Sequence, residues 1–300
     1  MLKTSRIKVY ISLLLGSLPF LFSCTENGEN EMATPPFPNT PGITKAPGDS
    51  MLDSLESRYP HAGYAAVKER ALKYSLKDKT VAYFGASNIN NADSYVMKRM
   101  LQMALGCDVV TYGYGGYSFG DSYNTLRTYA DSIGIHDIYI IWCTTNDYFR
   151  NVPLGEISDY TAADNYDPKN METAYGGLNY ILKKIKETNP EALILGMTCP
   201  KFFNAIRTDG MLIDSQKTNE IGNSFHQYVE ASMDCFNQFG IPYLDQWPLD
   251  CFTPGNWQEY YMSDGVHLNK NGYFILGVKE LSFILDNLNE NTTGIFQTKQ

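Results

Sequence analysis

Positive charge is in short supply in this sequence. Lysine and arginine number 24 against 33 aspartates and glutamates, a formal net charge of −9. That deficit argues against nucleic acid or an anionic membrane surface as the main partner, since both are bound chiefly through Lys and Arg. Histidine is rarer still, at four, and no cluster of His, Cys, Asp and Glu has metal-ligand spacing, so no metal is expected. No Gly-rich loop is followed by a lysine, so no phosphate loop and no cofactor are implied. Cysteine occurs six times without one Cys-x-x-Cys pair. Apart from Cys24, the remaining Cys107, Cys143, Cys199, Cys235 and Cys251 are odd in number, which indicates neither a zinc site nor a disulfide framework. One bridge could still close in an exported chain. Cys107, Cys143 and Cys199 lie in or beside apolar runs and read as small buried hydrophobes.

What is present starts with targeting. Lys3, Arg6 and Lys8 precede an apolar run over residues 9–22. The run contains Gly16 and Pro19 and is short for a bilayer span, so it suits a signal segment better than a permanent helix. It ends in Leu21-Phe22-Ser23-Cys24, which resembles the bacterial lipoprotein cleavage box. The resemblance implies that residues 1–23 are removed and that Cys24 is lipidated; an ordinary signal peptide with an incidental cysteine is the competing reading. Residues 25–31 resemble the acidic tract that directs some lipoproteins to the outer cell face. The expected location is the bacterial outer membrane, periplasmic or cell-surface face, held through the lipid anchor only. Residues 24–50 then form a tether, semi-extended by Pro35, Pro36, Pro38, Pro41 and Pro47.

The rest is an ordinary globular mix, 43% hydrophobic and 19% charged over the whole chain, able to bury a full core. Residues 51–78 show a helical pattern interrupted by Pro60 and read as an extension packed on the domain. Short β-rich runs follow at residues 80–84, 108–112, 138–142, 193–198 and 241–244. Helix-patterned stretches lie between and after them, at 93–105, 118–133, 173–187, 221–239 and 272–287. Continuous apolar strands spaced by amphipathic helices predict an α/β fold, a doubly wound parallel five-stranded sheet covered on both faces. The domain is expected over 79–288, with 289–300 as a tail. Such sheets carry their chemistry at the carboxyl ends of the strands.

Four blocks stand at those ends. The first strand runs into Phe84-Gly85-Ala86-Ser87-Asn88, where a serine hydroxyl is exposed and a following helix start offers free N–H groups. The second runs into Gly113-Tyr114-Gly115-Gly116-Tyr117, whose glycines let backbone N–H groups approach a ligand. The third runs into Cys143-Thr144-Thr145-Asn146-Asp147, with a side-chain amide at the same edge. Near the C-terminus, Asp264-Gly265-Val266-His267 sets a carboxylate three residues before an imidazole, so one ring nitrogen can meet Asp264 while the other faces a serine.

In this order the blocks resemble the SGNH hydrolases, the GDSL esterase/lipase family, over about residues 79–288. The resemblance implies a flavodoxin-like sheet and a serine esterase. It implies Ser87 as nucleophile, His267 as general base and Asp264 as its partner. The oxyanion hole would be formed by Ser87, Gly116 and Asn146. Residues 174–178 and 189–192 resemble acetylesterase-like members. Ala86 replaces the name-giving aspartate, and Thr144 replaces a glycine. The literal Gly48-Asp49-Ser50 lies in the tether with no strand before it and no glycine block at the right distance.

His61, His136 and His226 lack an acidic residue three before them in a loop at this edge and read as surface or packing residues. Tyrosine is abundant, 22 against 15 Phe and 3 Trp. Tyr114, Tyr117, Tyr148, Tyr260 and Tyr261 fall near the expected site, where they suit either plain packing or the flat faces of sugars. Residues 151–169, a loop after the asparagine block, are expected to shape the substrate cleft. The expected activity is hydrolysis of short acyl esters, O-acetyl groups on glycans above all. The rival is a non-catalytic glycan-binding or adhesion lipoprotein on the same fold.

Overall fold

Five short runs of apolar, β-branched and aromatic residues pair into one sheet: β1 Thr80–Gly85, β2 Asp108–Gly113, β3 Ile138–Trp142, β4 Leu193–Met197 and β5 Tyr243–Leu244. They belong to a computed structural model that describes residues 50–130, 132–160, 168–206, 212–288 and 297–298. The expected signal segment, Cys24, nearly all of the expected tether and most of the expected tail lie outside the described residues. Every pairing in the sheet is parallel, and the order across it is β2-β1-β3-β4-β5. β3 is buried along its whole length and β1 at every position after Thr80, whereas the edge strands are partly exposed. That gradient is what a parallel sheet covered on both faces demands of its central strands.

The helices follow in chain order as α1 Ser50–Arg58, α2 Tyr64–Ala71, α3 Ser87–Asn90, α4 Tyr95–Leu105, α5 Arg127–Ala130, α6 Asn146–Phe149, α7 Ala174–Thr188, α8 Phe225–Gln238, α9 Trp257–Tyr260 and α10 Lys270–Asn287. They pack in two groups. On one side α10 lies against α4, α2 and α1, and its Tyr273 meets Trp142 of β3 edge to face. On the other, α7 lies against α5 and α8, and Phe236 of α8 stacks on Tyr243 of β5. Leu52, Leu55, Tyr64 and Val67 of α1 and α2 join the same buried core as the strands.

Local chemistry sets the helix ends. Thr173 caps α7 by accepting Gly176 N–H at 3.0 Å. Ser224 and Gln227 form a reciprocal capping box, so α8 starts at Phe225 rather than at the expected residue 221. The largest departure lies at residues 118–133, expected as one helix, where among the described residues only Arg127–Ala130 is α-helical. Asp121 Oδ1 accepts the N–H groups of Tyr123 at 2.7 Å and Asn124 at 3.2 Å. The buried Asp147 carboxylate accepts those of Phe119 at 3.0 Å and Gly120 at 2.9 Å. Donors drawn to side-chain oxygens are lost to the helical ladder, and a loop wins.

The chain runs from β1 outward to β2, then returns across β1 to β3. The order of the strands therefore reverses beside β1, and a crevice is expected at the carboxyl ends there. The Ser87, Gly116 and Asn146 blocks leave the sheet from β1, β2 and β3 at that edge.

Candidate active site

Ser87 is the first residue of α3, directly after the β1 end, so its N–H has no acceptor within the helix. Three donors hold the carbonyls of this short helix: the backbone at its own C-terminal end and two buried side chains from outside it. Asn91 N–H donates to Ser87 O at 2.7 Å, Tyr273 Oη to Asn88 O at 2.5 Å and Lys98 Nζ to Ile89 O at 2.5 Å. Burial pushes the Lys98 ammonium down to about 8, with Glu280 opposing. Ala86, in the place of an aspartate, is itself buried. The turn is thus fixed without a carboxylate there.

Opposite Ser87 stands the turn before α10. His267 Nε2 lies 2.7 Å from Ser87 Oγ, and His267 Nδ1 lies 2.5 Å from Asp264 Oδ2. Because a carboxylate only accepts, Nδ1 carries the ring proton, and Nε2 is left to accept from the serine hydroxyl. Asp264 Oδ1 also accepts the N–H groups of Val266 at 2.9 Å and His267 at 3.0 Å. Burial raises the Asp264 carboxyl, but the bonds from the His267 ring and from these two amides outweigh it and hold it below the ordinary carboxyl value. The turn is closed by Met262 N–H to His267 O at 2.7 Å and anchored by Phe203 N–H to Gly265 O at 2.8 Å. Gly265 is obligatory here. Its φ is +68°, and a β-carbon would fall 1.5 Å from Phe203 O.

The glycine block reaches the same place. A β-carbon on Gly115 would lie 4.0 Å from Ser87 Cβ, and Gly116 follows with φ +78°. Arg150 Nε donates to Gly116 O at 2.8 Å, which fixes that peptide. Asn146 Nδ2 donates to Tyr117 O at 2.7 Å. A primary amide nitrogen carries two hydrogens, so this bond orients the group and leaves a second donor. Thr144 Oγ1 donates to the same Tyr117 O at 3.1 Å and accepts Asn146 N–H at 3.0 Å. The threonine therefore turns inward and braces the asparagine. Asp147 braces the loop beyond it through Phe119 and Gly120, and burial pushes its carboxyl up to about 6 against those two bonds.

Ser87, Asp264 and His267 are brought together, with the Gly115–Gly116 turn beside them; Asn146 joins that turn through Tyr117 O. Ser50 is the exposed first residue of α1, and His267 pairs with Ser87 instead. Lys98, Tyr273, Arg150 and Asp147 were not singled out as site residues; of these only Asp147 carried a signal, its place beside Asn146. Among the tyrosines, Tyr148, Tyr260 and Tyr261 are buried packing residues. Tyr114 stacks on Tyr129 with centroids 3.7 Å apart, and Tyr117 tilts against both. The described part of the 151–169 loop is fastened towards α7, where Asn179 Nδ2 donates to Ile157 O at 3.1 Å and Asp159 O at 2.8 Å. Among the described residues all five cysteines are free thiols and no His, Cys, Asp and Glu group could hold a metal. No described helix is long and apolar enough to cross a membrane.

The sequence matches the model of the GDSL-like lipase/acylhydrolase family over residues 48–275. The chain belongs to that family. This GDSL-like hydrolase is accordingly a carboxylic ester hydrolase. Its fold is shared with a protein from Lactobacillus plantarum at 22% identity and TM-score 0.57, covering 70% of this chain and 98% of that one. A possible lipase from Chitinophaga pinensis is similar at 18% identity and TM-score 0.54, covering 72% and 99%. No curated protein matches the hydrolase significantly.

Proposed function

We propose that the protein is a serine esterase that removes short acyl groups, O-acetyl above all, from carbohydrate esters. The observation that carries the reading is the continuous relay from Asp264 Oδ2 through the His267 ring to Ser87 Oγ, with spacings of 2.5 and 2.7 Å. In this reading His267 Nε2 takes the hydroxyl proton as Ser87 Oγ bonds to the ester carbonyl carbon. The carbonyl electrons move onto oxygen, which the N–H groups of Ser87 and Gly116 and the Asn146 amide receive. Each such donor is worth about 3 kcal/mol in the transition state. Collapse breaks the bond to the alcohol oxygen, which leaves with the proton from His267. Water, deprotonated by the same ring, then attacks the acyl-serine and frees the acid. Asp264 keeps the ring in the required tautomer and offsets the positive charge that forms on it.

Fluorophosphonate labelling tests the nucleophile. Wild type and Ser50→Ala should be labelled, and Ser87→Ala should not. A labelled Ser87→Ala, or an unlabelled wild type, overturns the esterase mechanism, and the latter would favour a binding lipoprotein on this fold. Lipidation at Cys24, after removal of residues 1–23, would tether the enzyme to the bacterial outer membrane at its periplasmic or cell-surface face. Cys24→Ala should shift it from the detergent to the aqueous phase; unchanged partitioning would remove the anchor.

A further inference from the structure

A cavity of about 460 Å³ lies among residues 201–204, 214–216 and 250–257. Two of these segments follow β4 and β5, so they stand at the same carboxyl edge as Ser87. The cavity also shares a wall with the proposed dyad. Phe203, one of its lining residues, donates its N–H to Gly265 O at 2.8 Å, between Asp264 and His267. Its volume falls in the range of small-molecule sites. An acetyl group is far too small to fill it, so the space serves some other part of a substrate.

The lining says which part. Trp257 is half-buried, and Phe252, also in the lining, is buried. Around these rings stand Lys201, Asp214, Gln216 and Asp250. One cation and two carboxylates leave no positive excess to hold a phosphate or sulfate. Polar side chains on that scale make a poor seat for a long acyl chain, whose burial would strip them of water. A saccharide meets both demands. Its C–H face lies on an indole, and its hydroxyls both donate to carboxylates and accept from an ammonium or an amide.

We propose that this cavity is the subsite for the alcohol part of the substrate and that it takes a neutral saccharide of one or two rings. The proposal rests on the esterase reading for the ester the sugar carries, not for the binding itself. The test is therefore run first without turnover. Ser87→Ala protein is titrated by calorimetry with cellobiose, xylobiose and N,N′-diacetylchitobiose. At least one should saturate, and Trp257→Ala in that background should weaken it by about tenfold or more. Because Trp257 opens α9 and its loss could disturb folding, Gln216→Ala and Asp250→Asn, both exposed side chains, are measured beside it. No binding of any disaccharide into the tens of millimolar overturns the proposal. So does unchanged affinity in all three variants. In the active protein the same substitutions should lower kcat/KM on an acetylated disaccharide relative to that on para-nitrophenyl acetate by a similar factor. A parallel fall on both esters would mark a merely structural role and also count against the subsite. Failure of the esterase reading shows in fluorophosphonate labelling and leaves the calorimetric result standing.

Discussion

At two places among the described residues a histidine stands close to an aspartate, and the two pairs are bonded in different ways. Where the chain enters β3, Asp137 gives one carboxylate oxygen to Thr80 N–H at 2.8 Å and the other to Lys79 Nζ at 3.0 Å. The neighbouring His136 ring meets Tyr112 Oη at 2.7 Å and Ile133 O at 2.9 Å through a single nitrogen. Burial lowers its basicity despite the Ile133 carbonyl and Asp137, which favours a neutral packing ring. Before α10, Asp264 spends one oxygen on two backbone amides and keeps the other for the His267 ring, whose far nitrogen meets Ser87. Closeness along the chain is common to both, although only Asp264 bonds the imidazole. What differs further is whether the second ring nitrogen is delivered to a serine hydroxyl at an open strand end.

The comparison breaks most sharply at the histidines. His267→Ala should cut kcat/KM on para-nitrophenyl acetate by about 10⁴-fold. His136→Ala should keep turnover per folded molecule and lose about 1–2 kcal/mol in urea unfolding, since a half-buried bond and packing go. Equal losses of turnover in the two variants would erase the distinction. A smaller effect sharpens the carboxylate side. Asp264→Asn keeps the shape but not the charge partner, and about a thousandfold loss of kcat is expected. Since Asp264 lies below the ordinary carboxyl value, it stays ionised through mildly acid pH. A large loss should therefore persist at both pH 6 and pH 8, and a variant restored to wild-type turnover at pH 6 would contradict the assigned role.

The smallest effect belongs to Asp137→Asn, read as stability. Burial raises this carboxyl, but the bonds from Thr80 and Lys79 outweigh it and depress it. A depressed acid stabilises the fold above its unfolded value, about pH 4, and loses that contribution as pH falls through its folded value. The variant should thus be about 1 kcal/mol weaker at neutral pH, with the two unfolding curves converging in acid. A gap that widens on acidification would reverse the sign.

Much of the framework was legible because the signals were local. Residues 138–142 form an unbroken apolar run, and β3 is Ile138–Trp142. The four motif blocks were legible for a related reason: each sits where a strand or a turn gives out, so residue type and position coincide. Residues 118–133 misled because a helical apolar period is visible along the chain, whereas the Asp147 carboxylate that unwinds their start comes from beyond β3. Thr144 was noticed only as a departure from the family glycine; its inward bond to Tyr117 O depends on how two loops meet. The cavity was invisible for the same reason, being assembled from three segments that span residues 201–257 with no shared pattern.

The support beneath α3 also sets a timetable. Ser87 belongs to the first third of the chain, while its partner His267 comes 180 positions later and Tyr273, which holds Asn88 O, 185 positions after its acceptor. Contacts of such separation close late, after the entropy of a long loop has been surrendered. A growing or threading polypeptide that has not yet released its last helix has neither the imidazole nor the tyrosine in place. On the proposed mechanism the unfinished molecule would be silent towards esters, and hydrolytic power would arrive only with the docking of α10.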